Sequence, residues 1–251
     1  MKAIKFIILF SFLLGLGPSS YAQLTPQEVI QTAEDKLRGT SSEAIMKMTI
    51  VRPKWTREVE LQAWSRGEEF SLIKITSPAR DKGIVFLKRG KEIWNWQPSI
   101  ERMIKLPPSM MMQSWMGSDF SNDDLVRQSS LITDFDHKFL PEESVDERMC
   151  YVIELIPHED AAVVWGKVIM WIDKQDFLQL KSEFFDEEDY LVNTIYGKDV
   201  KLFGKTLLPS KLEVIPEEDE GNKTLIEYMS LTFDTPLAES FFSIQNAKRI
   251  K

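Results

Sequence analysis

Two spacings of apolar residues divide the chain. After Thr25, the residues Val29, Ile30, Ala33 and Leu37 fall on one face at helical spacing. Thr25 is placed to cap this helix, Pro26 suits its first position, and Glu28 completes a capping box. Gly39 is the expected stop. The pattern predicts one amphipathic helix whose apolar stripe needs a surface to lie on.

From Ala44 onward the period is two. Ala44, Met46, Met48 and Ile50 alternate with Ile45, Lys47, Thr49 and Val51, and Val59, Leu61 and Ala63 alternate with Glu58, Glu60 and Gln62. Further short β-rich runs are Phe70 to Thr76, Gly83 to Lys88, Glu92 to Gln97 and Arg102 to Leu106, the last stopped by Pro107 and Pro108. The rhythm resumes at Met149 to Ile156, Val163 to Ile172 and Phe177 to Phe185. It continues at Leu191 to Tyr196, Val200 to Phe203, Ser210 to Ile215 and Thr224 to Phe233. The links are short and polar, as in Arg89-Gly90-Lys91, Asp186 to Asp189 and Glu217 to Gly221. None of the acidic links follows a calcium-loop spacing, and solvated turns explain them. Tight turns between strands mean antiparallel hairpins, and no strand–helix–strand alternation calls for a parallel sheet. The expected fold is mainly β: one domain over 23–251, a large, strongly curved antiparallel sheet with few helices, the first of them N-terminal.

The stretch from Pro107 to Leu125 breaks the rhythm. Four of the chain's 11 methionines lie between Met110 and Met116. Met111, Met112, Trp115 and Met116 are spaced to share a helical face, Gly117-Ser118 stops it, and Ser121 or Asn122 can cap a further helix at Asp123 and Asp124. One reading makes this a plug whose methionines fill irregular core gaps. The other makes it a mobile apolar lid, because unbranched thioether chains repack readily around ligands of varied shape. Burial of an acyl chain is worth about 0.8 kcal/mol per methylene, so a chain of about 16 carbons offers roughly 12 kcal/mol gross. Ordering and the loss of a membrane alternative reduce that sum, which suits a guest that is held and then handed on.

Composition narrows the partners. The formal charge is −8, with no dense basic run, which argues against nucleic acid. One cysteine excludes an intramolecular disulfide, and two histidines make a histidine-rich metal site a poor fit. Lys2 and Lys5, an apolar run from Phe6 to Leu16, then Ser20-Tyr21-Ala22 have the layout of a secretory signal peptide cleaved after Ala22. The apolar run falls short of the ~20 residues of a spanning helix. Loss of Lys2 and Lys5 moves the formal charge from −8 to −10. Residue 23 is Gln rather than the cysteine that a lipid anchor requires, so a periplasmic, unanchored protein is expected.

Three blocks carry a family resemblance. Glu92 to Pro98 places Trp94, Trp96 and a proline on a strand; Glu101-Arg102-Met103-Ile104 follows; Gly117-Ser118-Asp119-Phe120 then precedes Asp123-Asp124-Leu125. Val168 to Asp173 and Leu231 to Pro236, followed by Phe241-Phe242, extend the match over nearly all of the chain after Ala22. In these residues the chain resembles the LolA-like family, the outer-membrane lipoprotein-sorting proteins. The resemblance implies an incomplete antiparallel β-barrel, a strongly curved sheet with an N-terminal helix and a short helical lid over an apolar cavity. It also implies that the partner is a lipid or a lipoprotein acyl chain, with an inner-membrane exporter or an outer-membrane acceptor at either end. Two departures bear on this. The stretch before Gly-Ser-Asp-Phe is rich in methionine and poor in arginine, and no residue matches the lipoprotein carrier's arginine switch. General binding of lipid or hydrophobic compounds is therefore the expectation.

A search for enzyme chemistry returns little. There is no Gly-x-Ser-x-Gly elbow, phosphate loop or dinucleotide fingerprint. His137 and His158 stand apart, Cys150 sits in a strand-like run, and Asp119 suits a turn or cap. The leading reading is a carrier of acyl chains, without cofactor or metal, contacting its guest through Trp94, Trp96, Met111, Met112, Trp115, Met116 and Phe120. The alternative is an accessory module docking on an exporter or envelope assembly complex. A secreted hydrolase is a third reading, because a carboxylate pair is open to so acidic a chain.

Overall fold

The computed structural model describes residues 24–111, 113–122, 124, 131–159, 161, 163 and 165–250. The expected signal peptide, Met112, and most of the helix expected after Ser121 lie outside these residues.

Helix α1 (Pro26–Arg38) forms as its sequence dictates. The Thr25 hydroxyl accepts from the Glu28 amide at 3.2 Å, and the Glu28 carboxylate accepts from the Thr25 amide at 2.7 Å. Gly39, at φ 58°, closes the helix. Thirteen strands follow: β1 (Ser41–Arg52), β2 (Trp55–Arg66), β3 (Phe70–Ser77), β4 (Val85–Arg89), β5 (Glu92–Gln97), β6 (Arg102–Lys105) and β7 (Phe135–Val145). Then come β8 (Arg148–Pro157), β9 (Lys167–Asp173), β10 (Gln179–Phe185), β11 (Leu191–Phe203), β12 (Thr206–Pro216) and β13 (Lys223–Phe233). They form one antiparallel sheet in the order β6-β5-β4-β3-β2-β1-β13-β12-β11-β10-β9-β8-β7. The chain closes the middle of the sheet with its first and last strands, β1 and β13, and leaves β6 and β7 as unpaired edges. The expected incomplete barrel is this open, curved sheet.

Two strand assignments needed correction. β7 has no counterpart in the sequence reading, because an edge strand exposed along most of its length, with Pro141 beside a register shift, shows little apolar alternation. The runs at 191–196 and 200–203 are one strand, β11, continuous through Gly197-Lys198-Asp199.

The period-two pattern places two apolar coverings on the inner face. Val29, Ile30 and Ala33 of α1 are buried against Phe135, Ile153, Leu155, Val168 and Met170 on β7, β8 and β9. On the other half, Met111, Trp115 and Phe120 are buried against Met48, Val59, Leu61, Ile73, Ile75 and Phe86 on β1 to β4. The outer face of β2 to β5 is covered too, by the C-terminal segment. Phe242 is fully buried there, and Phe241 meets Trp64 edge-on at 5.5 Å.

Candidate functional site

The two inner coverings flank a pair of hollows. Between α1 and the 111–124 segment lie two adjoining hollows of about 220 and 180 Å3. Leu37, Phe120, Asp124, Leu212 and Tyr228 line both, so the two are separated by no more than these side chains. Each exceeds the roughly 150 Å3 of an apolar cavity that takes benzene, and together they reach the range of ligand sites. Small side chains make the room. Ala44 and Ala63 pair across β1 and β2, as do Ser42 and Ser65, whose hydroxyls meet at 2.7 Å. Larger neighbours on the same face, Leu61 and Ile73, finish the floor.

The first hollow reaches the β2–β3 turn at Gly67 and Glu68, where its lining includes charged side chains. Arg38, at the end of α1, pairs with Glu34 one helical turn back and with Glu68 at 3.2 Å. Lys88 of β4 is buried in the same wall. Burial pushes the Glu34 carboxyl above its ordinary range, against the pull of Arg38. Burial raises Asp124 as well, against two hydrogen bonds of 2.8 Å that its carboxylate accepts from the amide and hydroxyl of Ser121. Ser121 returns the favour by accepting from the Asp124 amide at 3.1 Å, which is the expected cap. Burial likewise raises the Tyr228 phenol, so it stays neutral in both hollows. The lining of the hollows is mostly apolar, with a few polar groups among it.

The 111–120 stretch departs from the helix expected of it. It enters through a 3-10 turn, Pro108–Met110, then turns back on itself through an isolated bridge between Ser114 and Ser121. Trp115 donates its amide to the Phe120 carbonyl at 2.7 Å, which closes the loop. Met116 is at φ 54° and Gly117 at φ 80°, values that no helical face allows. Polar bonds pin this loop to the sheet. The Asp119 carboxylate pairs with Arg52 of β1 at 2.9 and 3.0 Å and accepts from the Thr224 hydroxyl of β13 at 2.6 Å. Arg57 donates to the Met116 carbonyl at 3.1 Å. Gly-Ser-Asp-Phe is thus a fastening as much as a covering.

Of the seven residues expected to touch a guest, the structure brings Met111, Trp115, Met116 and Phe120 together on the inner face. Trp115 and Phe120 line the first hollow, and Phe120 lines both. Met112 lies outside the described residues. Trp94 and Trp96 are not brought to the hollows: they pair with Leu87 and Val85 on the outer face, under the C-terminal segment. Lys105 lies over the Trp94 ring at 5.6 Å and Lys248 over Trp96 at 5.5 Å. Leu37, expected only as part of the α1 stripe, and Leu212 and Tyr228, expected only as strand residues, line both hollows. The signal that marks the hollow was the run of small residues, Ser42, Ala44, Ala63 and Ser65, at inner positions of adjacent strands.

Other chemistry is sparse. Among the described residues, no three His, Cys, Asp or Glu side chains converge as a metal site would require. His158 faces Asp136 at 3.2 Å, and His137 meets the Leu131 carbonyl at 2.6 Å. Cys150 is fully buried, and burial lifts its thiol to about 11. No helix among the described residues is long and apolar enough to cross a membrane.

A family model whose description reads only as an uncharacterized protein matches residues 67–249. No curated protein matches the chain. Three solved structures are similar to it. A DUF1329 family protein from Desulfovibrio piger is 21% identical, covers 88% of this chain and 96% of its own, and gives a TM-score of 0.81. A domain from Vibrio parahaemolyticus, described as outer membrane lipoprotein-sorting, is also 21% identical, with 89% and 98% covered and a TM-score of 0.80. The LolA superfamily protein NE2245 from Nitrosomonas europaea is 22% identical, with 89% and 99% covered and a TM-score of 0.76. At this identity the likeness is one of fold.

Proposed function

Starting from a chain that belongs to the family matched over residues 67–249 and has the fold of LolA-superfamily structures, we propose that it binds lipid or lipoprotein acyl chains in the adjoining hollows and passes them across the periplasm. One observation carries the reading: two apolar coverings share the inner face, and small side chains keep a gap open between them. An acyl chain fits that shape and chemistry. Its methylenes replace water against Leu61, Phe120 and Leu212, at about 0.8 kcal/mol each. A polar headgroup stays at the rim among Arg38, Glu68 and Lys88. The segment 1–22 acts as the export signal, and residues 23–251 work as one domain. Trp115 and Phe120 are the proposed guest contacts from the pinned loop, with Met111 and Met116 packed behind them. Nothing in this reading asks for covalent chemistry.

The test is mass spectrometry of lipids extracted from the natively purified protein. Bound lipid or acylated peptide is expected in the parent. Ala63→Phe fills the first hollow from a strand and leaves the pinned loop in place, so it is expected to empty the protein while its unfolding transition persists. A clean parent protein, or equal loading of the filled variant, defeats the reading. Trp115→Asp is a poor probe, because Trp115 is 1% exposed and its loss would strike the core itself.

A further inference from the structure

Three turns meet on one rim of the sheet. The β1–β2 hairpin turns at Pro53 and Lys54, the β3–β4 connection runs over 78–84, and the β5–β6 turn over 98–101. Arg57 reaches Asp81 at 2.6 Å and ties the first turn to the second. Gly83 and Pro98 tie the second to the third: a Cβ on Gly83 would lie 3.5 Å from the proline ring. Two large apolar side chains stand out from this corner, Trp55 at 50% exposure and Ile100 at 56%. The Arg52 guanidinium lies over the Trp55 ring at 5.8 Å and braces it on one side. Lys54, Arg80, Lys82 and Arg102 are exposed around them. Asp81 is taken up by Arg57 and Arg80, which leaves Glu101 as the exposed carboxylate of the three turns.

The same rim changes sign further along. Pro53 packs beside Gly221, and from there the turn Glu217 to Glu220 and the turn Asp186 to Asp189 carry carboxylates alone. A chain of formal charge −8 thus gathers cations and its exposed indole at one corner. The apolar tips protrude and form no groove. A rigid partner would need a matching pocket for each tip, whereas the interface of a bilayer admits both. Tryptophan prefers the headgroup level, and lysine and arginine beside it engage anionic headgroups.

We propose that this corner docks the protein on an anionic phospholipid bilayer. Trp55 and Ile100 enter the headgroup layer, and Lys54, Arg80, Lys82 and Arg102 face its charge. The acidic turn Glu217 to Glu220 borders the corner on the Pro53 side, and with Asp186 to Asp189 beyond it limits the angle of approach. The hollow reaches the exposed residues Gly67 and Glu68 at the far end of β2 from Trp55. Vesicle binding and guest loading are therefore separate readouts, and the proposal does not rest on the carrier reading.

Flotation of the purified protein with vesicles tests it. Binding is expected to phosphatidylcholine vesicles containing about one third phosphatidylglycerol, not to pure phosphatidylcholine, and to weaken as salt rises toward about 0.3 M. The pair Lys54→Glu and Lys82→Glu is expected to lower the bound fraction about tenfold or more. Trp55→Ser with Ile100→Ser is expected to lower it comparably. Tyr190→Ser, at a 69% exposed position on the acidic part of the rim, is expected to leave it unchanged. Brominated lipid is expected to quench the parent's tryptophan emission and to quench Trp55→Phe less, a readout independent of small stability changes. Absence of binding to the anionic vesicles, as an acidic protein partner would predict, overturns the proposal. So does binding that survives both paired variants, or quenching that is the same without Trp55.

Discussion

Arg52 and Asp119 lie 67 positions apart and meet through both prongs of one guanidinium and both oxygens of one carboxylate. The pair is 14% and 8% exposed, so water screens it little. It joins the end of β1 to the loop that carries Trp115 and Phe120. Asp119→Ala strands Arg52 and leaves the Thr224 hydroxyl without its acceptor. The expected loss is about 2–4 kcal/mol, read as a lower urea midpoint. Arg52→Lys keeps the charge without the fork and is expected to be destabilising as well. Equal stability of Asp119→Ala and parent would show that the loop is held by packing alone.

The hollow should be sensitive to acid in a stated direction. Burial raises Asp124 above its ordinary value of 3.8 and Glu34 above 4.5. Such a carboxyl binds its proton more tightly in the folded protein than in the unfolded chain. Its contribution to stability therefore falls as pH rises from the ordinary value through the raised one, and stays low above it. Asp124→Asn keeps an acceptor for Ser121 and removes the ionisation. Thermal unfolding across pH is expected to show the variant more stable than the parent at neutral pH, with the difference shrinking on acidification. A difference that grows toward acid would reverse the assignment.

Two glycines should respond to side chains for different reasons. A Cβ on Gly166 would lie 2.3 Å from the Asp186 carbonyl oxygen, so the chain entering β9 has no space for one. Gly67 has nothing within 4 Å, but its φ is +54°. Gly166→Ala is expected to cost about 1–3 kcal/mol by overpacking. Gly67→Ala costs about 1–2 kcal/mol through torsion. Asparagine, which tolerates the left-handed region, is expected to recover part of the loss at Gly67 and none at Gly166. Chemical denaturation of the four variants separates the two causes.

Cys150 offers a probe of global opening. It is fully buried, and its thiol is lifted to about 11. Labelling by a thiol reagent at pH 8 is expected to proceed no faster than unfolding and to become rapid in denaturant. Fast labelling of the folded protein would mean that this part of the sheet opens locally.

Much of the architecture was legible because local chemistry and global fold agree. Thr25, Pro26 and Glu28 announce α1, and alternation through β1, β2 and β13 sorts side chains by face. What alternation does not supply is which face is inner. Trp94 and Trp96 share a face, as their spacing requires, but Ile93 and Asn95 on the other face are buried as well. Both sides of β5 are covered, one by the 111–120 loop and one by Phe241 and Phe242, so a two-sided apolar strand reads the same either way up. The hollow was hidden for a related reason. It is made by what Ala44, Ala63 and Ser65 lack, and a deficit of volume is visible only once neighbours across β1 and β2 are known. The fastening by Asp119 depends on a partner on another strand, which no window along the sequence contains.

The unpaired edges β6 and β7 give the shell a freedom that a sealed cylinder does not have. In a closed barrel, strand number and stagger dictate girth, and widening it means tearing a seam of backbone bonds. Here no seam exists, so the two flanks can splay or pinch as a whole with every ladder intact. Under the proposed function, girth would follow the guest, and acyl chains of different bulk would be accommodated by the same thirteen strands.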